Sequence, residues 1–283
     1  MGMGHSFGAN IIVNLALLHP RLLQHLVLMD PVLSRFVVPG PAYGFSPMKN
    51  STYRRDLWAS REEAEASFRR NKFYQTWDPR VLDAWIKYGI RDTPTKLYPE
   101  PGKATLTTTK HMEVFTYYRP TAQGYDENGK RFIDPKKLPD IGDSIEKHPH
   151  FPFYRPEGPS TAEKLPNLRP SVLWIYGGKS DVSLHDSRQE KRDLTGVGIG
   201  GSGGVKAGRV KDVVIEEFGH LVPMEATTRC AEYAAASIVP ELERWRQEEA
   251  EYQRWAKKPD VEKQVLDDDF RRWVGPLKPK EKL

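Results

Sequence analysis

Gly4-His5-Ser6-Phe7-Gly8 opens directly into the apolar run Ala9 to His19, which Pro20 ends. Together these residues predict a strand that turns sharply into a buried helix, with Ser6 strained at the turn and its hydroxyl exposed. Flanking glycines fit this reading, because side chains there are expected to collide with the turning backbone. The pattern G-x-S-x-G alone decides little, since Gly200-Gly201-Ser202-Gly203-Gly204 also satisfies it. That second match has no strand-like run before it and no helical run after it, so context removes it as a site.

Working outward, Gln24 to Met29 reads as a strand that stops at Asp30-Pro31. Ser171 to Tyr176 ends at Gly177-Gly178, and Asp212 to Glu217 ends at Phe218-Gly219-His220. Short apolar runs of this kind suit central parallel strands. Between the last two lies Gly196 to Gly208, a glycine-dense stretch expected to be a mobile loop. It satisfies G-x-G-x-x-G at Gly196, Gly198 and Gly201, but a dinucleotide site needs a strand feeding that motif and a helix leaving it. The sequence supplies neither. A helical segment follows from Glu225 to about Ile238.

A serine in an elbow, a carboxylate after one strand and a histidine after the next reproduce the nucleophile, acid, histidine order of the α/β-hydrolases. Gly4 to Gly8, Tyr176 to Asp181, and Gly219-His220-Leu221-Val222-Pro223-Met224-Glu225 resemble that family's three signature loops. The stretch Thr195 to Gly204 and the long charged tail resemble more narrowly the fungal toxin-biosynthesis type of α/β-hydrolase. The resemblance implies an α/β fold: the C-terminal portion of an α/β-hydrolase, a parallel sheet with flanking helices and an inserted helical cap. On this reading residues 1–30 and 168–240 are hydrolase core, 31–167 are the cap and an irregular connector, and 241–283 are a charged helical extension.

The resemblance also implies roles. Ser6 is the expected nucleophile, His220 the general base and then acid, and the backbone N–H of Phe7 one oxyanion donor. Asp181 is the expected acid that orients His220; Asp30, at the end of the strand after the elbow helix, is the alternative, and Asp186 a third choice. Serine at the elbow, where dehalogenases and epoxide hydrolases of the family place aspartate, points to ester, thioester or amide substrates. No cofactor and no metal are expected. His148-Pro149-His150 lacks acidic or cysteine partners at ligand spacing, and Asp267-Asp268-Asp269 reads as a solvated helix-end cluster.

The middle of the chain is rich in Pro, Tyr, Trp and paired charges. Helical patterns fall at Arg61 to Arg70, with Ser60 and Glu63 as a capping box, at Val81 to Tyr88 and at Lys110 to Tyr118. Trp58, Phe68, Phe73, Trp77, Trp85 and Tyr88 are expected to be mostly cap core, with a minority lining an acyl pocket. Asp126-Glu127-Asn128-Gly129 reads as a turn, and Lys136 to Pro170 as a long connector.

Composition narrows the classes. The 283 residues are 38% hydrophobic and 29% charged, which rules out disorder throughout, and 43 basic against 38 acidic residues leave +5, no nucleic-acid footprint. The apolar run near the start carries Asn14 and falls far short of the roughly 20 residues that span a bilayer. One cysteine, Cys230, forms no internal disulfide, so a cytoplasmic, reducing location is expected. Glu281-Lys282-Leu283 matches the last two positions of the peroxisomal S-K-L signal, the alternative address. The elbow lies four residues from Met1, whereas the resemblance implies several earlier strands and a loop giving the second oxyanion donor. Two readings follow: the C-terminal portion of a serine hydrolase, or a non-catalytic remnant with a triad it cannot use.

Overall fold

Four short strands carry the core, and each is followed by a loop on the same side of the sheet. The computed structural model describes residues 1–33, 47–117, 119–120, 124, 126–127, 134–137, 153–154 and 157–276. These divide into two compact units, Met1–Ile238 and Val239–Leu283.

In the first unit, β1 (Gly2–His5), α1 (Phe7–Leu18) and β2 (His25–Met29) form the opening module. An inserted region follows: α2 (Pro47–Tyr53), β3 (Leu57–Trp58), α3 (Arg61–Arg70), α4 (Pro79–Gly89), β4 (Ile90–Asp92), β5 (Ala104–Leu106), α5 (Lys110–Tyr117), β6 (Arg119–Pro120), β7 (Phe153–Tyr154) and α6 (Glu157–Ala162). The chain then returns to the core with β8 (Ser171–Gly177), α7 (His185–Leu194), β9 (Val210–Ile215), α8 (Val222–Glu225) and α9 (Thr227–Ala256).

The main sheet has the order β1-β2-β8-β9, all parallel. Both faces are covered, so its strands read as unbroken apolar runs instead of alternating ones. The period of two still sorts them. Leu26, Leu28, Val172, Trp174 and Tyr176 pack with Ala9, Val13 and Ala16 of α1, while Val27, Met29, Leu173 and Ile175 pack with Val222, Ala226, Cys230 and Ala234 on the other face. Leu26, Leu28, Trp174, Tyr176 and Ile175 are completely buried.

Register aligns the strand ends. His5 pairs with Met29, Met29 with Ile175, and Gly177 with Ile215, so the loops after β1, β2, β8 and β9 leave from one edge. In open parallel sheets that edge is where ligands bind.

The inserted region differs from the helical cap expected, because Leu57–Trp58, Ala104–Leu106 and Ile90–Asp92 form a three-stranded antiparallel sheet, β3-β5-β4. Strands of two or three residues leave no period to read. The helices sit where their caps place them: the Glu63 N–H bonds Ser60 Oγ at 3.2 Å, and Asp78 accepts from the Arg80 N–H just ahead of Pro79. Trp58, Phe68 and Tyr74 are buried with Leu82 and Ile86, and Trp77 and Trp85 pack against them. Four of the six aromatics expected to be mostly core are thus in it, and the other two, Phe73 and Tyr88, are 54% and 67% exposed.

The glycine-dense stretch is pinned, contrary to the mobile loop expected. Gly196 N–H bonds Leu165 O, Gly198 N–H bonds Pro166 O and Ser202 N–H bonds Leu168 O, at 2.9, 2.8 and 3.0 Å. A side chain at Gly201 would lie 2.5 Å from the carbonyl oxygens of Gly196 and Pro166, so glycine is required by close packing. This loop leaves α7 and enters β9, the reverse of the strand-loop-helix order a dinucleotide site needs.

Helix α9 runs on through Pro240, where a stop was expected; the proline costs one backbone hydrogen bond without ending the helix. In the second unit, α10 (Asp260–Gln264) and α11 (Asp268–Val274) follow. Asp267 caps α11 through the Phe270 N–H at 2.8 Å, and Asp268 and Asp269 stand in its first turn, where negative charge suits the helix N-terminus. His148-Pro149-His150 and Glu281 to Leu283 lie outside the described residues. Among the described residues no helix is long and apolar enough to cross a membrane.

Candidate active site

The edge where the strands end gathers a serine, a histidine and a carboxylate. The Ser6 N–H still bonds Met29 O at 3.0 Å, continuing the sheet, and then φ turns to 55°. Asp30 repeats the device one strand over: its N–H bonds Ile175 O at 2.8 Å and its φ is 41°. These are the two non-glycine residues with positive φ among the described residues. Such strain, of order 1–3 kcal/mol each, persists only where surrounding structure imposes it, and it concentrates at functional sites.

Gly4 makes the first turn possible, because a Cβ there would stand 2.7 Å from the backbone of Ala9. Gly8 does not share that reason. A Cβ at Gly8 meets nothing within 4 Å, which corrects the expectation that side chains collide on both sides of Ser6. Ser6 occupies the N-cap position of α1, yet its hydroxyl makes no capping bond. It pairs instead with His220 Nε2 at 2.9 Å.

His220 Nδ1 lies 2.6 Å from Asp30 Oδ2, and that carboxylate is fully buried. The structure therefore brings together Ser6, His220 and Asp30. Asp181, the expected acid, is exposed on the loop after β8, and Asp186 is exposed and pairs with the neighbouring His185 at 3.2 Å. The arrangement has a physical origin. β2 lies between β1 and β8, so the residue after β2 is turned in between the serine and histidine loops, while the β8 loop directs Ser180 inward and Asp181 to solvent. Phe7, directly after Ser6, begins α1 with its backbone at the helix N-terminus.

Three further residues shape the site, none of them singled out by sequence. His5 Nε2–H donates to the His220 carbonyl at 2.7 Å, and the two rings lie 4.9 Å apart. Burial pushes the His5 pKa down, which keeps that ring a neutral donor. Asn10 Nδ2 donates to Val32 O at 3.1 Å, and Val32 N–H donates to Ser6 O at 3.1 Å, tying the chain after Asp30 to the elbow. Ser180 Oγ donates to Asp30 Oδ2 at 2.5 Å. The inserted region is clipped beside the histidine loop by Asp78 N–H to Met224 O at 2.8 Å and by Arg80 to Thr228 at 2.8 Å. Among the described residues no cluster of three or more metal-ligating side chains is present.

Comparison with known proteins places the chain among fungal relatives. It is 38% identical over 273 residues to the type I acyl-CoA thioesterase mpaH of Penicillium roqueforti, covering 89% of this chain and 61% of that protein. It is 37% identical over 300 residues to the type I acyl-CoA thioesterase mpaH' of Penicillium brevicompactum, covering 99% of this chain and 66% of that protein. An abhydrolase domain-containing protein of Alternaria alternata, AFT2-1, is 26% identical over 235 residues, covering 83% and 81%. The chain thus spans about three fifths to two thirds of the length of the thioesterases it matches. No family model matches. The peroxisomal α/β-hydrolase Lpx1 of Saccharomyces cerevisiae superposes with a TM-score of 0.54 at 14% identity, covering 83% of this chain and 51% of that one. The chain has the α/β-hydrolase fold and is a homologue of these fungal proteins.

Proposed function

We propose that this chain carries the catalytic residues of a serine hydrolase that cleaves an acyl thioester through an acyl-enzyme. The observation that carries the reading is the line of hydrogen bonds from Ser6 Oγ to His220 Nε2 and from His220 Nδ1 to the buried Asp30, at 2.9 and 2.6 Å. An ordinary N-cap serine turns its oxygen to its own helix; Ser6 turns to a histidine 214 residues away.

In this mechanism His220 takes the Ser6 proton as Oγ attacks the carbonyl carbon, and the alkoxide-like charge that develops on the carbonyl oxygen is met by the Phe7 N–H. The carbon–sulfur bond breaks, the thiol leaves with the proton held on His220, and the acyl group remains on Ser6. Water, deprotonated by His220, then hydrolyses that ester and returns the proton to Ser6. Asp30 accepts from Nδ1–H and holds the ring, fixing the tautomer that leaves Nε2 free to accept.

The thioester preference rests on the two relatives named acyl-CoA thioesterases. An apolar acyl chain is what the fungal toxin-biosynthesis resemblance implies. For location the reading stays with the cytosol, and a fluorescent protein carrying the last twelve residues tests the peroxisomal alternative.

The functional test uses the full-length protein. A fluorophosphonate probe is expected to label Ser6, and a medium-chain acyl-CoA is expected to release free thiol faster than the matching p-nitrophenyl ester is cleaved. Labelling that survives Ser6→Ala overturns the assignment; faster turnover of the oxygen ester overturns the thioester preference alone.

A further inference from the structure

Asp30 accepts two hydrogen bonds on one oxygen. Oδ2 takes both His220 Nδ1 and Ser180 Oγ, while Oδ1 is buried without a partner among the described residues. Resting on the triad read above, we propose that Ser180 is a positioning residue whose hydroxyl, bonded to the oxygen that His220 shares, holds the Asp30 carboxylate in its catalytic orientation.

Three observations support this. First, the hydroxyl's direction is set: Val182 N–H donates to Ser180 Oγ at 3.2 Å, which leaves the Ser180 O–H to point at the carboxylate. Its 2.5 Å separation is within the range of a hydroxyl donating to an anion. Second, Ser180 is buried, so water does not substitute for the bond without entering the core. Third, the loop bearing it is fastened to the histidine loop. Lys179 N–H bonds Phe218 O at 2.9 Å, Gly178 N–H bonds Ile215 O at 2.9 Å, and a Cβ at Gly177 would stand 2.0 Å from Gly219 O. Ser180 and His220 therefore approach Asp30 as one framework, from the β8 and β9 ends, while Asp30 itself sits on a strained backbone that alone does not fix its side chain.

Without the hydroxyl, Oδ2 loses one of its two donors and the carboxylate gains freedom to turn toward its unsatisfied oxygen. The cost falls on the chemical step, because the buried Ser180 hydroxyl bonds the Asp30 carboxylate.

The experiment measures kcat and KM for p-nitrophenyl butyrate with the full-length protein and its Ser180→Ala, Ser180→Thr and Asp30→Asn variants, alongside the Asp30→Asn Ser180→Ala double variant. Ser180→Ala is expected to lower kcat about 10-fold with KM unchanged, and Ser180→Thr, which keeps the hydroxyl, to stay within about twofold of the parent. In the Asp30→Asn background the alanine substitution is expected to change kcat less than twofold, because Ser180 acts through Asp30. If Ser180→Ala does not fold, Ser180→Cys, a near-isostere with a weak donor, is measured in its place and is expected to show the same loss. A Ser180→Ala kcat within twofold of the parent, or an equal loss in both backgrounds, overturns the proposal. Full activity of Asp30→Asn is a different result, and it overturns the triad.

Discussion

The parallel sheet and the inserted region use the same polypeptide in opposite ways. Among the described residues, positive φ outside glycine is confined to the turn residues where β1 and β2 end, Ser6 and Asp30, the two that His220 joins by hydrogen bonds. The inserted region spends its described side chains on caps, aromatic packing and ion pairs. Phe68 meets Tyr74 edge-on at 4.9 Å and Trp85 at 5.8 Å, and Arg54 grips Glu113 at 2.9 Å. The contrast teaches that one region is built to hold a few atoms in place and the other to hold a shape. Substitutions should therefore separate cleanly into losses of rate and losses of stability.

The largest expected effect is Ser6→Ala, which should lower kcat about 10⁶-fold and leave the melting temperature nearly unchanged. Next is Asp30→Asn, expected to cost about 10⁴ in kcat by supplying the wrong hydrogen-bonding partner to His220, while Asp181→Asn stays within about twofold. Steady-state kinetics on the four proteins checks both. Comparable losses at Asp30 and Asp181 would mean that the acid is delivered from the β8 loop in the working enzyme.

On the other side of the comparison, Phe68→Ala should cost about 3–5 kcal/mol, because it empties the centre of the aromatic cluster. Urea unfolding followed by tryptophan fluorescence reads this directly. Turnover per folded molecule should change far less than it does in Asp30→Asn. A Phe68→Ala protein that is stable but inactive would erase the distinction between the two regions.

The boundary between regions is also the boundary of what the sequence discloses. Helix α3 is legible residue for residue, since Ser60, Glu63 and the run to Arg70 lie within a few positions of one another. Strand β1 is not, because Gly2-Met3-Gly4-His5 offers one apolar side chain and no alternation; only its pairing with the buried β2 makes it a strand. The serine and the histidine stand out through local turn chemistry. The acid does not. Asp30 and Asp181 both follow apolar strands, and choosing between them needs the strand order and the two turn geometries, neither of which is local. Ser180 is invisible for the same reason, as a polar residue beside a carboxylate that only the fold assigns elsewhere.

A smaller effect lies in the sheet but away from the chemistry. His25 is buried between Ser171 Oγ at 2.9 Å and Ser237 Oγ at 3.0 Å, and burial pushes its pKa down from 6.5 to about 4. The unfolded chain therefore binds more protons than the folded one between these values, so stability falls as pH drops from about 6.5 toward 4 and levels off below. His25→Asn should flatten that slope while lowering stability at neutral pH. Urea midpoints measured across this range check it; an unchanged slope in the variant would assign the acid sensitivity to other groups.

The smallest expected effect tests the elbow itself. Gly4 and Gly8 occupy equivalent places in the motif, yet the structure gives them different physics. A methyl group at position 4 enters the backbone of Ala9 at 2.7 Å, and the elbow has to open to admit it. At position 8 it enters open space on the exposed second residue of α1, with φ in the ordinary range. Alanine there lowers the backbone entropy of the unfolded chain and improves helix propensity, by at most about 1 kcal/mol. Gly8→Ala is therefore expected to leave kcat unchanged and to raise the melting temperature slightly, whereas Gly4→Ala should lose most activity. Differential scanning fluorimetry and the ester assay on both variants decide the matter. A Gly8→Ala protein as damaged as Gly4→Ala would mean that a part of the working protein outside the described residues packs against the elbow, and that the second glycine is required by that contact.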